Sequence, residues 1–233
     1  MLIAMSDAAM ATEATTGPAV WVVPDGVKIN PATAQPYNHA VRHQDYRRSN
    51  PVWQDGQVRL YAARGETVAF QIVIRAADRP IRQVDISTEP LRAADGKQIG
   101  NDRYAAFREW FITVKTPATS SYGPGDYPEP LIPARAPRHG LPLTVPPHRC
   151  EVLWIDLAVP RDAAAATYRG LVRLTASGKC LAKLPVELTV WDIVLPLAPS
   201  QVFDTPIYMG QIARQADPAR RGAGPVSTWS PRM

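Results

Sequence analysis

Residues Cys150 to Ser200 constrain the fold of this chain more than any other stretch. They hold three strand-length apolar runs in succession, Val152–Val159, Tyr168–Ala176 and Leu181–Val190, separated by breakers at Pro160–Ala166 and Ser177–Lys179. In the first run Leu153, Ile155 and Leu157 alternate with Trp154, Asp156 and Ala158. The second is less regular, with Val172 and Leu174 against Arg173 and Thr175, while Leu171 falls on the Arg173 side. Successive side chains of a strand point to opposite faces. A period of two bounded by Gly, Pro and Ser therefore predicts antiparallel strands with one face in a core.

The same pattern extends toward the N-terminus. Ala19–Val23 is a short β-run closed by the turn Pro24-Asp25-Gly26. Val58–Ala63 and Thr67–Ala76 are strands hinged at Arg64-Gly65-Glu66. In the latter, Val68, Phe70, Ile72 and Ile74 share one face and Ala69, Gln71, Val73 and Arg75 the other. Ile81–Leu91 is a weaker strand before the turn Ala94-Asp95-Gly96, and Ala105–Lys115, rich in aromatic and β-branched residues, is expected to be a core strand. Two segments read as irregular: the polar stretch Asn30–Asp55, and Thr116–His148, where nine prolines predict a long, rigid loop.

Composition excludes several classes. The chain has 233 residues, enough for one good core, and 45% of them are hydrophobic. Its mean hydropathy is −0.18 and it has no apolar run long enough for a spanning helix. The formal charge of +5 owes much to arginines in expected loops and the tail, so neither a nucleic-acid surface nor a membrane role is expected. The 24 prolines are about twice the usual frequency and favour loops and sheet edges over long helices. Cys150 and Cys180 are too few and too far apart for a structural zinc site, and sequence leaves open whether they pair. The N-terminal MLIAMSDAAMATEATTGP reads either as the remnant of a signal peptide or as a flexible extension, because Asp7 interrupts its apolar run.

Four segments in this order and spacing resemble one family: Arg64–Ile74 (RGETVAFQIVI), Tyr122–Pro133 (YGPGDYPEPLIP), Leu153–Gly170 (LWIDLAVPRDAAAATYRG) and Leu184–Pro196 (LPVELTVWDIVLP). They are similar to the N-terminal β-sandwich of family-123 glycoside hydrolases and their uncharacterised relatives. The resemblance implies a sandwich module that precedes a (β/α)₈ catalytic barrel. It also implies that the barrel's catalytic residues are an adjacent Asp-Glu pair. No two acidic residues are adjacent anywhere in the chain, so the catalytic role is not carried over to any residue. The chain ends at Met233, where the resemblance places the start of the barrel, and Phe203–Tyr208 is expected to be the stub of its first strand.

Other chemistry is thinly represented. Glycoside hydrolysis needs two carboxyls about 5–10 Å apart, and Asp126 and Glu129 are the nearest approach to a loop pair; both are expected to be solvated acids. His39, His43, His139 and His148 lie in expected loops, His39 and His43 lack a third ligand, and no Gly-x-Ser-x-Gly elbow or phosphate loop occurs. No catalytic residue, metal site or cofactor is therefore expected. Among the aromatics, Trp154 and Trp191 are expected to be buried in a sandwich face or an inter-domain seam. Trp53, Tyr122 and Tyr127 are the better surface candidates. Tyr122, Asp126, Tyr127 and Trp191 together are the candidates for a protein interface or a sugar-facing surface.

The sequence thus predicts an all-β protein, an antiparallel immunoglobulin-like β-sandwich over residues 19–200 with long Pro-rich loops. A disordered extension or signal remnant covers 1–18, and a barrel stub with a mobile tail covers 201–233. The expected function is that of a non-catalytic accessory module of a carbohydrate-active enzyme. Its expected partner is a missing catalytic barrel or another protein domain, with carbohydrate as a further candidate, at an extracellular or periplasmic location. The alternative is a free-standing carbohydrate-binding or adhesion protein.

Overall fold

A computed structural model describes residues 17–37, 45–116 and 123–197. Tyr122, His39, His43, the stub at 203–208 and the expected tail at 201–233 lie outside the described residues. The chain divides into two compact units, Met1–Leu195 and Pro196–Met233; the first holds all the described strands. In chain order these are β1 (Ala19–Pro24), β2 (Trp53–Gln54), β3 (Gln57–Arg64), β4 (Thr67–Arg75), β5 (Ile81–Thr88), β6 (Leu91–Ala93) and β7 (Gln98–Ile99). There follow β8 (Tyr104–Val114), β9 (Gly125–Pro133), β10 (Leu143–Val145), β11 (Cys150–Ala158), β12 (Thr167–Ala176) and β13 (Lys179–Val194).

The strands form two sheets packed as a sandwich. Sheet I has the order β1-β4-β11-β8-β9, every pair antiparallel. Sheet II has the order β10-β5-β12-β13-β3-β2, with the β6–β7 hairpin attached to β12. The period-two pattern sets which residues face inward. Val22, Ile72 and Leu153 stand in one cross-strand row of sheet I, and Pro24, Phe70 and Ile155 in another. Opposite them, Leu60, Leu188 and Tyr168 line up across sheet II. All but Pro24 are buried, in one continuous apolar core. The alternation read from Leu153, Ile155 and Leu157 is therefore the alternation of the core.

Gly65 makes the corner where the chain leaves β3 in one sheet and enters β4 in the other. Its φ of +84° is a conformation that only glycine adopts without strain, and the Arg161 side chain lies directly over its Cα. The corner is closed by backbone bonds from Gly65 N to Val159 O at 3.0 Å and from Val159 N to Glu66 O at 2.8 Å. Glu66 Oε2 accepts from Ala63 N at 2.7 Å.

Four expectations are corrected. The pairing is antiparallel except between β3 and β13, which run parallel from Val58–Val186 to Ala62–Val190. Thr116–His148 is not structureless, because it contributes β9 and β10. Pro128, Pro130 and Pro133 sit within β9, which a strand tolerates at the edge of a sheet, where one side needs no N–H donors. β8 contributes to the core only in part: Tyr104, Ala106 and Phe111 pack against it, but of its eleven residues only Glu109 is buried, since from Glu109 onward the strand pairs with β9 alone.

The polar stretch Asn30–Asp55 is the fourth correction. Its described residues, together with 25–29, form a strap over the outer face of sheet I in which Val27, Ile29, Ala34 and Tyr46 are buried, and Trp53 at its end is buried as well. Trp53, expected at the surface, starts β2 and donates from Nε1 to Arg47 O at 3.1 Å. Under this cover both faces of β4 are buried from Phe70 to Ile74. The cysteines are free: Cys150 is buried in sheet I and Cys180 exposed in sheet II.

Ile155→Ala is expected to lower stability by about 2–5 kcal/mol, through lost transfer energy and the cavity left in a closed core; urea titration reads the difference. Burial raises the Cys150 thiol to about 12. A thiol-specific disulfide reagent should therefore label one cysteine, Cys180, in the native protein and two after denaturation.

Candidate functional site

The predicted site residues fall into two places. Tyr127 is buried rather than exposed, because the strap lays Tyr37 against it with ring centroids 4.4 Å apart. Its hydroxyl donates to Gly123 O at 2.5 Å. Asp126, its neighbour on β9, accepts from Thr113 Oγ1 and from the Arg149 guanidinium, each at 2.7 Å. Those two bonds hold its carboxyl below the usual carboxylate range, the Arg149 bond first. The Tyr37 hydroxyl donates to Asp126 O at 2.6 Å and is raised to about 12, chiefly by burial. Glu129 is ion-paired instead with Lys28 of the strap. Each acid of the expected pair thus has its own basic partner, and the group fastens the strap to the β8–β9 edge.

Beneath the same strap is a carboxyl that the sequence reading missed. Glu109, on β8, is 4% exposed, and its Oε2 is buried without a hydrogen-bond partner. Burial raises its pKa to about 8, against the smaller opposing effect of Lys28, with Glu129 adding to the rise. At neutral pH it is mostly protonated. Its sequence context, Arg-Glu-Trp in an apolar strand, marks it only as a charge on a strand that turns out to be covered from outside. Nearby, Arg108 and Glu151 form an ion pair at 3.0 Å in which both side chains are largely shielded from water.

The second place is the last part of β13. Trp191 is 48% exposed, so the sandwich itself does not bury it. Its ring stacks on that of Tyr61, itself 55% exposed, with centroids 6.1 Å apart. β3 and β13 are neighbours, with Tyr61 opposite Thr189, which puts Trp191 one diagonal step away on the outer face of sheet II. Ile193, Val194 and Leu195 continue the exposed apolar run. Around it, Arg64 pairs with Asp192, and the Arg161 guanidinium donates to Leu195 O. Leu131 and Ile112 are exposed apolar residues on the β8–β9 edge.

Tyr61 also borders a groove of about 520 Å³ along the side of the sandwich where β3 and β4 meet. Trp154 and Asp156 of β11, Asp25 of the strap and Glu66 of the corner line it, with Arg59 of β3. Trp154, expected to be buried, is half-buried here and donates from Nε1 to Asp156 Oδ1 at 2.6 Å. A second groove, of about 490 Å³, opens between β5 and β8; Tyr104 lines it, and its buried hydroxyl has no hydrogen-bond partner. No cluster of three or more His, Cys, Asp or Glu suited to a metal ion occurs among the described residues.

This arrangement defines a β-sandwich module with an exposed apolar strand end. The glycoside hydrolase 123 N-terminal domain matches residues 40–176, more than half of the chain, and the chain belongs to that family. Among solved structures, a family 123 glycoside hydrolase from Clostridium perfringens, studied for glycolipid glycan hydrolysis, superposes with a TM-score of 0.60 at 15% identity. The match covers 77% of this chain and 28% of that one, and the likeness is one of fold. AvmM, which catalyses macrocyclization in alchivemycin A biosynthesis, aligns over 67% of this chain and 89% of its own, at 8% identity and a TM-score of 0.35, too low to define a shared fold. No curated protein sequence matches the chain.

Glu109 gives the protein a pH dependence of known sign. Its pKa rises from 4.5 to about 8 on folding. The folded state is therefore favoured below 4.5 and loses stability as pH climbs toward 8, a loss on the order of a few kcal/mol. Glu109→Gln should be more stable than the parent at pH 8, with the advantage vanishing toward pH 4.5; denaturation midpoints across that range check it.

Proposed function

We propose that this chain is the non-catalytic accessory sandwich of a carbohydrate-active enzyme and packs against a catalytic domain through the end of β13. The observation that carries this reading is the run of exposed Trp191, Ile193, Val194 and Leu195 beside Tyr61. Five large apolar side chains on one strand end and its neighbour leave apolar surface in water that burial would favour by roughly 25 cal/mol per Å². An exposed apolar cluster rimmed by charges, here Arg64, Asp192 and Arg161, has the composition of an interface core with a polar rim.

Family membership supports the reading, because the family 123 hydrolase that this chain resembles is a much longer protein of which it covers 28%. The two acids expected to be the nearest approach to a catalytic pair are each engaged elsewhere. Asp126 is committed to Arg149 and Thr113, and Glu129 to Lys28. Carboxylates neutralised in this way are poorly placed to act as acid and base on a glycosidic bond.

Two measurements test the proposal. Sedimentation velocity with a family 123 catalytic domain supplied in trans should show a complex that Trp191→Ser/Ile193→Ser weakens at least tenfold, both substitutions being at exposed positions that leave the core intact. An unchanged affinity in the double variant, or no complex with the parent chain, would overturn it. The chain alone should not turn over aryl N-acetylhexosaminides; turnover abolished by Asp126→Asn or Glu129→Gln would refute the non-catalytic assignment.

A further inference from the structure

We infer that the groove between β3 and β4 is a binding site for an uncharged glycan, with Tyr61 and Trp154 as its stacking surfaces. The groove is distinct from the β13 strand end, although Tyr61 borders both. Its lining combines two aromatic rings with three carboxylates, Asp25, Glu66 and Asp156, and one guanidinium, Arg59. Its volume of about 520 Å³ gives room for a short oligosaccharide.

Both rings are held from behind. Trp191 stacks on Tyr61, and Asp156 Oδ1 fixes the indole of Trp154 through Nε1 at 2.6 Å. Each is partly open to solvent. Rings fixed in this way lose little entropy when a flat apolar face settles on them. The axial C–H face of a pyranose is such a surface, and its hydroxyls are both donors and acceptors. Carboxylates are acceptors only and a guanidinium is a donor only.

The groove thus offers chiefly acceptors beside two rings, which the donating hydroxyls and the apolar face of a sugar can meet together. An anion would meet three carboxylates. The Arg59 guanidinium is already held by Gln54 Oε1 at 2.8 Å and by Asp55, so an ammonium ion is the competing occupant, and lysine amide is its control. Glu66 Oε2 is occupied by Ala63 N, and Asp25 Oδ1 by Gly26 N at 2.9 Å, so the groove's acids are oriented before any ligand arrives.

The test uses the full chain, with ¹⁵N-labelled tryptophan and the Trp154 indole resonance assigned by its loss in Trp154→Phe. Cellotetraose, maltotetraose and N-acetyllactosamine are the probes, and lysine amide is the cationic control. At least one oligosaccharide should shift the Trp154 resonance saturably, and Tyr61→Ala and Asp156→Asn should each weaken that binding at least tenfold. Tyr61 is exposed, so its variant keeps the fold even if Asp156→Asn does not, and the dispersion of the other indole resonances reports this directly. No saturable shift with any of the three sugars would overturn the inference. So would a shift that both variants leave unchanged, or saturation by lysine amide alone. No second domain is present in the assay, so its outcome is independent of whether β13 docks a catalytic domain.

Discussion

The side-chain amide of Gln71 holds the strap against sheet I. It lies on the outward parity of the sheet's second strand, where an exposed polar residue would be ordinary, yet it is 2% exposed. Its Nε2 is within hydrogen-bonding distance of Pro24 O at 3.0 Å, Asp25 O at 2.7 Å and Val27 O at 2.9 Å, so its two protons are shared among three acceptors. Asn50 repeats the device, donating to Val22 O at 2.7 Å and to Tyr46 O at 2.9 Å. Together these amides satisfy backbone carbonyls that irregular chain would otherwise bury unpaired, which is the main cost of covering a sheet with a loop. The cover in turn desolvates Glu109 and Cys150, shelters Tyr127 and carries Asp25 to the wall of the groove.

Sheet I is therefore finished on its outer face, while sheet II is not. The outer face of sheet II is largely paired charge: Arg169 with Glu187 and Arg173 with Glu89. Such exposed pairs contribute little to stability and hold a surface in water. The exception is the end of β13 beside Tyr61, where apolar side chains predominate around the Arg64–Asp192 pair.

Much of this was legible from residues alone. The parity of Phe70, Ile72, Leu153, Ile155 and Leu157 is written in the sequence because inward and outward positions differ in polarity. The family resemblance rested on segments that lie in β4, β9, β11, β12 and β13. What was not legible depends on a second layer. Gln71 and Val73 look like the solvent side of a strand, and only the strap makes them interior. Tyr127 and Trp53 have loop-like neighbours, and their burial comes from Tyr37 and from residues that close over β2. The proline spacing in β9 suggested a loop because each proline removes a donor; an edge strand needs fewer. The groove escaped notice for a simpler reason. Its walls come from positions 25, 59, 61, 66, 154 and 156, which no local pattern connects.

The parallel pairing of β3 with β13 has a consequence for how the protein is made. Val58 has Val186 as its partner, and among the described strands β3 otherwise has only the two-residue β2 beside it. On the ribosome, β3 therefore emerges long before the strand that completes its sheet. Through that interval Leu60 and Ala62 can meet only a half-built interior, and one side of the strand's backbone is open to foreign strands. Closure by a contact so distant in sequence is intrinsically slow. The exposure of that edge lasts until β13, about 120 residues further on, has left the exit tunnel and can pair with it.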